Sequence, residues 1–307
     1  MSEYRPSALR GLLALTGREL KKWAKEPIIL LMAILQPIIW MGLLGKAMNI
    51  NAIFSASSLS NVNVPDISIP EYGITIPGWV IKQKLMDAFN SIGASVMQNV
   101  FGVTDYFSYM SVGMISMIVM FTTMFSGMSM VWDRRLGFLD KVLSTPVSRG
   151  AIIFSKVLNA ALRSMFQATI ILALAVAFGL KVSPTFNPLN LFGVYAAIFL
   201  LSVGLSSLFL ALALRSTRHE TQMAVVNLIN MPLMFASNVF FPTSMMPEWL
   251  RAIASVNPVS YLTDAIRQLT ILPLDVSVLV MDFAYLGVFA AVLFAAGITL
   301  SWKYLTR

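Results

Sequence analysis

The chain has 307 residues, 57% of them hydrophobic and only 12% charged, against about 25% charged in an ordinary soluble domain. With a mean hydropathy of +0.77, this is the composition of an integral membrane protein. The net charge of +8 comes without a basic run interleaved with aromatics, so nucleic acid is not an expected partner; zero cysteines and a single histidine, His219, exclude disulfides, thiolate chemistry and a His-rich metal site.

Taken in order, the N-terminus lacks a short apolar core followed by a small-residue cleavage site, so no removable signal peptide is expected. Residues 8–26 place Leu9, Leu12, Leu13, Leu20 and Trp23 near one face, and Arg10, Arg18, Lys21, Lys22 and Lys25 on the other. That pattern predicts a basic amphipathic helix at a membrane surface. It ends at Glu26-Pro27, where Pro27 suits the first turn of a new helix. Six apolar runs come next, at 27–48, 107–131, 158–180, 189–214, 223–241 and 281–302. Each is long enough to cross about 30 Å of hydrocarbon at roughly 1.5 Å per residue. Only helices satisfy their backbones as single spans in lipid, so the predicted fold is an all-α polytopic membrane bundle.

Pro37 is expected to kink the first span. Residues 49–106 open polar, pass Pro65, Pro70 and Pro77, and enter an amphipathic helix carrying Ile81, Leu85, Ala88, Phe89 and Ile92. This helix is expected to rest on the outer membrane face or to cap the bundle. The second span is soft, with seven Met between Met110 and Met130.

Between spans two and three, residues 132–157 hold Asp133, Arg134, Arg135, Asp140, Lys141, Arg149 and Lys156. A charged, proline-punctuated segment between spans has to sit in water. Leu136, Leu139, Val142 and Leu143 recur at helical spacing before Ser144-Thr145-Pro146 interrupts, and Ser148 is placed to cap a new helix. Two helices meeting at a proline make an elbow that can dock into a cleft on another protein; an ordinary solvated loop is the alternative.

In span four, Ser202, Gly204, Ser206 and Ser207 mark close helix packing. Span five carries Asn227, Asn230, Ser237 and Asn238 around Pro232. Such groups turn inward in lipid, toward a transport pathway, a dimer seam or plain helix–helix hydrogen bonds. Asn238, Phe240, Phe241 and Pro242 then set an aromatic plug at its outer end. Residues 242–275 show two short helical patterns broken at Asn257-Pro258. Their Met245, Met246, Trp249, Leu250 and Ile253 suit a pair of helices dipping part-way back into the membrane. Asp282 reads as a solvated helix-start carboxylate at the outer end of span six.

Placing the N-terminus inside puts sixteen basic residues on inner segments: Arg5, Arg10, Arg18, Lys21, Lys22, Lys25, Arg134, Arg135, Lys141, Arg149, Lys156, Arg163, Arg215, Arg218, Lys303 and Arg307. Six fall outside: Lys46, Lys82, Lys84, Lys181, Arg251 and Arg267. The bias predicts a multi-pass cell-membrane protein with both termini cytoplasmic. The sequence holds no G-x-x-x-x-G-K-[ST] and no H-E-x-x-H, so ATP hydrolysis on this chain is not expected.

The segment RRLGFLDKVLSTPVSRGAIIFSKVL resembles the signature of the type-2 ABC transporter permeases, exporter subunits that include the daunorubicin-resistance permeases. The matching positions are Arg134, Arg135, Gly137, Leu143, Thr145, Pro146, Val147, Ser148, Arg149 and Lys156. A second stretch, FASNVFFPTSMMPEWLRAIASVNPVSYLTDAIR, is similar to the family's stretch after span five, with Asn238 where the family usually has Gly. The resemblance implies that residues 132–157, including Asp140 and Lys141, couple to a separate ATP-binding subunit. It implies that the N-terminal helix, with Arg18, Lys21, Lys22 and Trp23, joins that contact. It further implies that the helices after span five form an outer gate, and that the working unit has two permease copies and two ATPases. ATP and Mg would be bound by the partner, with no cofactor or metal on this chain. A twofold permease dimer is also expected from six helices carrying one polar stripe, which would seal a path better if paired. The predicted function is the membrane permease of an ATP-driven exporter of a hydrophobic or amphipathic, drug-like or lipid-like substrate. The competing readings are an ion-coupled secondary transporter, which would need intramembrane carboxylates, and a membrane-embedded lipid-modifying enzyme, which would need clustered His, Asp or Glu.

Overall fold

A computed structural model of the chain describes residues 8–47, 61–69, 71, 74–215 and 218–305. The polar stretch 49–60 and Pro70, with Arg5 and Arg307 of the charge tally, lie outside the described residues. Helix α1 (Ala8–Ala24) is followed by α2 (Pro27–Trp40), with Pro27 at its first position and Pro37 inside. Pro37 has no N–H for the preceding turn, and α2 continues as wide π-helical turns over Met41–Ala47.

A small antiparallel hairpin, β1 (Ile67–Ile69) with β2 (Ile74–Ile76), pairs Ile67 with Ile76. Hydropathy gives no hint of it, because three-residue strands are too short for an alternating pattern to stand out. Helix α3 (Gly78–Val96) begins where the Gly78 N–H donates to Asp66 Oδ1 at 2.6 Å. This is the amphipathic helix expected there, but Leu85, Phe89 and Ile92 are exposed, so its apolar stripe does not cover the bundle. After a π turn (Met97–Phe101), Gly102 at φ +71° stops it.

The centre of the bundle is α4 (Tyr106–Arg135), capped by Asp105, whose side chain accepts from the Ser108 N–H at 2.8 Å. Almost every side chain from Tyr106 to Val131 is buried, as expected for a helix apolar on all faces. Its glycines allow neighbouring backbones in: a Cβ on Gly113 would lie 2.3 Å from the Val239 carbonyl oxygen, and one on Gly127 2.6 Å from that of Phe209. Next come α5 (Phe138–Leu143), α6 (Arg149–Ala177), α7 (Pro188–Arg215) and α8 (His219–Phe235). The chain closes with α9 (Glu248–Ala254), α10 (Pro258–Thr270) and α11 (Val276–Leu305).

The small residues of α7 work as packing surfaces: a Cβ on Gly204 would sit 2.6 Å from Phe289 of α11, and Ser207 lies 3.0 Å from the Cβ position of Gly297. The outer face of α11 is apolar and exposed at Val280, Met281, Val288 and Val292, as lipid requires. Its start is capped by Asp275, whose carboxyl is held below the usual range by bonds from the Ser277 hydroxyl and the Ser277 and Val278 N–H groups.

Among the described residues four helices are long and apolar enough to cross a membrane: the run ending in α4, then α6, α7 and α11. The other two expected spans are shorter. One is an apolar helix over Leu30–Lys46, and the other is α8, with 17 residues. The fifth run, expected to stay helical to residue 241, departs from that reading: α8 ends at Phe235 and residues 236–241 form tight non-helical turns.

Hydrogen bonds sort the loops into two ends. At one, which we call the elbow end, Arg134 Nη1 donates to the Leu214 carbonyl at 3.0 Å. At the far end, Lys46 Nζ donates to the Phe178 carbonyl at 2.7 Å, the Ser183 N–H to that of Thr270 at 2.8 Å, and Asn190 Nδ2 to that of Leu269 at 3.1 Å.

Candidate functional site

The elbow is built by a glycine, a proline and a serine cap. Helix α4 ends where the Gly137 N–H bonds to the Arg134 carbonyl and Gly137 turns left-handed at φ +66°, a conformation that favours glycine. Helix α5 lasts six residues. Thr145 Oγ1 then donates back to the Val142 carbonyl at 2.6 Å, and Ser148 accepts from the Ala151 N–H to start α6. One side of this elbow is fastened: Leu139 and Val142 are buried among Met130, Ile152, Ile153 and Val157. The other side is open, with Arg134, Arg135, Asp140, Lys141, Thr145 and Pro146 exposed and Arg149 and Gly137 partly so. Leu136, which shares the helical spacing of Leu139, Val142 and Leu143, is 70% exposed, because it falls in the turn between α4 and α5.

Two charged residues assigned to water are not there. Lys156 is 6% exposed and Asp133 3%. Lys156 Nζ bonds the Asp133 carboxylate, lies 3.0 Å from Glu19 Oε1 of α1, and donates to Ser129 Oγ at 3.0 Å. One ammonium therefore clamps α1, α4 and α6 together. Glu19 gives no signal of this in the sequence, because it sits in a basic stretch as an ordinary surface acid. The remaining contacts of α1 reinforce the clamp. The Arg18 guanidinium lies 3.4 Å over the Phe138 ring of the elbow, and Gly11 faces Val147. Leu9 and Leu13 are exposed, Thr16 and Glu19 are buried, and Leu15 packs on the cluster around Leu139, so α1 meets the bundle through a face other than that of Leu9 and Leu13. Lys21 and Lys22 remain exposed. Trp23 packs edge-on to Phe166 at 5.6 Å.

At the far end, α10 carries the organising residue. Arg267, an outer and solvated base by its place in the sequence, is 1% exposed. Its Nη1 donates to the Asn238 carbonyl at 2.9 Å, and Nη2 to those of Tyr109 and Val239 at 3.2 and 3.1 Å. The guanidinium stacks 3.4 Å from the Tyr109 ring. The turn after α8 is thereby tied to α4. Asn238 Nδ2 donates to Asp264 Oδ1 at 2.5 Å, and Tyr109 donates to the Asn238 carbonyl at 3.0 Å.

Asn257 serves two helices. Its Oδ1 accepts from the Val259 N–H to cap α10, before buried Pro258, while its Nδ2 donates to the Leu233 and Ala236 carbonyls at the end of α8. Phe240 is buried and stacks on Phe235 at 6.0 Å, whereas Phe241 is 48% exposed and Pro242 partly buried. Ser237 Oγ returns to the Met234 carbonyl at 2.6 Å.

The polar stripe expected along span five divides. Asn230 is buried and donates to Met124 Sδ at 2.8 Å; Asn227 is exposed on the face that carries Leu228 and Met231. Asp282 is corrected too: it is 3% exposed and accepts from Gln268 Nε2 at 3.1 Å. A helix-start position looks solvated in sequence, but α11 begins a turn and a half earlier, at Val276, and α10 covers Asp282. Arg267 and Asp264 are legible in the sequence only as an i,i+3 pair on an amphipathic helix, a pattern equally suited to a surface.

A multi-span helical membrane protein, with a charged elbow fastened at one end and a buried arginine lock at the other, is the class this fold defines. The chain belongs to the ABC-2 type transporter family, whose model matches residues 10–271, and is thus a permease subunit of an ABC transporter. It is 26% identical over 260 residues to a putative transport permease, ycf38, of Cyanophora paradoxa, covering 84% of this chain and 73% of that protein. It is 33% identical over 182 residues to the ycf38 protein of Porphyra purpurea, covering 58% of this chain and 61% of the relative. It is also 25% identical over 165 residues to the daunorubicin resistance ABC transporter permease protein DrrB1 of Streptomyces coeruleorubidus, covering 54% and 58%.

Proposed function

We propose that this permease works in an ATP-driven exporter of a hydrophobic or amphipathic substrate, with ATP and Mg bound by a separate subunit. The elbow faces the cytosol and receives the ATP-binding subunit. Two permease copies and two ATPases form the working unit, and α9 with α10 dips into the outer leaflet as a gate held by Arg267. Leu9 and Leu13 of α1 meet the membrane surface. Movement of the ATPases would swing the elbow, and the Lys156 clamp would pass that motion to α1, α4 and α6 as one body.

The carrying observation is the two-sidedness of the elbow, which is fastened by Leu139 and Val142 while Asp140 and Lys141 stand exposed on its other side and only Arg134 there bonds back to the bundle, at the Leu214 carbonyl. Arg149 is telling. It occupies the first turn of α6, where the helix dipole disfavours a cation, so helix stability does not explain it. Arg149→Glu is expected to leave insertion and helix stability intact, or slightly improved by roughly 0.3–1 kcal/mol, while abolishing co-purification with the ATPase and transport into vesicles. Gly137→Val, which forces a β-branched side chain into a left-handed turn with open space around it, is expected to lose transport in the same way. Undiminished vesicle transport in both variants would remove the elbow from the mechanism.

One observation favours a second reading. The buried carboxylate of Asp282 is of the kind an ion-coupled transporter uses. Asp282→Asn separates the two: an ATP-driven permease keeps ATP-dependent uptake without a proton gradient, whereas an ion-coupled carrier loses its gradient response.

A further inference from the structure

We propose that a pocket between α2, α4 and α6, beside the end of α1, binds the phosphate of a bilayer phospholipid. The pocket is a cavity of about 30 Å³ whose walls include Pro37, Ile118, Phe121, Phe125, Arg163 and Gln167. That admits an oxygen or a chain methylene rather than a whole headgroup, so the phosphate sits at the mouth with one oxygen inside. Two buried N–H donors on its wall, Arg163 Nε and Gln167 Nε2, have no partner among the described residues, and a third such donor, Trp23 Nε1, belongs to the ring beside Arg163. Gln167 is 1% exposed, and its Oε1 is taken by the Thr122 hydroxyl, which leaves the amide nitrogen unspent toward the cavity. The Arg163 guanidinium lies 5.2 Å from the Trp23 ring centroid. Two carboxylates act on it, Glu19 and Glu26, but Glu19 is held by Lys156 and Arg18.

Three donors, one of them cationic and none matched by an acceptor, define a site for an anionic oxygen, because unpaired buried donors are costly and charge-assisted bonds are the strong ones. Apart from Gln36 and Thr122 the rest of the lining is apolar, and the exposed rings of Phe125 and Phe166 mark the way in from the bundle's lipid-facing side. A group that offers both an anionic oxygen and hydrocarbon is a phospholipid. Trp23 and Arg163 on neighbouring helices fit the headgroup level, where amphipathic rings and basic residues collect. This inference rests on the membrane placement proposed above and is independent of the transport cycle.

The test uses the full-length chain, delipidated in detergent, with native mass spectrometry counting bound lipid after addition of short-chain phosphatidylglycerol. One tightly held phosphatidylglycerol per chain is expected, with Arg163→Met weakening it about tenfold or more and Arg163→Lys keeping part of the binding. Trp23→Phe and Gln167→Leu, which keep the charge and the fold, are expected to weaken it less and carry the test should Arg163→Met fail to fold. Equal retention in all variants overturns the proposal. So does equal binding of a neutral diacylglycerol, which would mean an apolar groove only, or displacement by millimolar inorganic phosphate, which would mean a free-anion site. Because no ATPase enters the measurement, a failed transport assay and a failed lipid count are told apart; thiol labelling of single cysteines placed in the elbow checks the membrane placement separately.

Discussion

Replacing Lys156 with methionine should cost about 3–5 kcal/mol, the range for breaking a buried charge network by removing one member. Asp133 and Glu19 are 3% and 8% exposed, and without the ammonium both carboxylates stay in low dielectric, with Arg18 the remaining cation bonded to Glu19. A lowered unfolding midpoint in detergent is the readout. Replacing the whole triad, Lys156→Met with Asp133→Leu and Glu19→Leu, should return most of that stability, because apolar groups of similar volume often replace a buried ion network at little cost. Transport then separates packing from coupling: a triple variant that is stable but inactive assigns the clamp to transmission, and one that transports normally reduces it to packing. An unchanged midpoint in the single variant would mean that the three charges are solvated after all.

Arg267→Met is expected to destabilise by a similar amount, about 3–5 kcal/mol, for a different reason. The lost guanidinium takes one donor from each of the carbonyls of Tyr109, Asn238 and Val239, leaving Asn238 with the Tyr109 hydroxyl, and removes the cation beside Asp264. Arg267→Lys should recover only part of the loss, since one ammonium on a flexible stem cannot reproduce a planar fork across three acceptors. Adding Asp264→Asn to the methionine variant should restore some stability by removing the stranded charge. With the 236–241 turn held to α4 mainly by the hydroxyls of Tyr106 and Tyr109, the gate reading expects substrate-independent ATP hydrolysis by the partner to rise in the lysine variant. A lysine variant with wild-type stability and wild-type basal hydrolysis would show that the arginine holds nothing essential.

Much of this architecture is legible because lipid leaves few options. Apolar runs of spanning length must be helices, so α4, α6, α7 and α11 are set by hydropathy alone. Local chemistry is equally readable: Ser148 and Asn257 cap the helices they precede, and Asn257-Pro258 breaks α9 from α10. The small residues of α7 announce close helix packing, while its partner α11 is given by the fold. The same rules fail where pattern is ambiguous. Leu9 and Leu13 look like the anchored face of α1, yet a helix pressed between a bundle and a surface has two apolar directions, and only the fold shows which one is occupied.

By itself, then, the amino-acid order determined the class of the molecule, its helices, its elbow and the caps that begin and end them, because these depend on neighbours within a turn or two and on the solvent. The tertiary structure alone decided the state of the charges. Lys156, Asp133, Arg267 and Asp282 carry the same letters as solvated residues, and nothing within a few positions distinguishes them. A charge becomes buried only when partners arrive from distant segments to satisfy it. Glu19 reaches Lys156 across 137 positions and the Tyr109 carbonyl meets Arg267 across 158, distances in sequence over which no local rule operates.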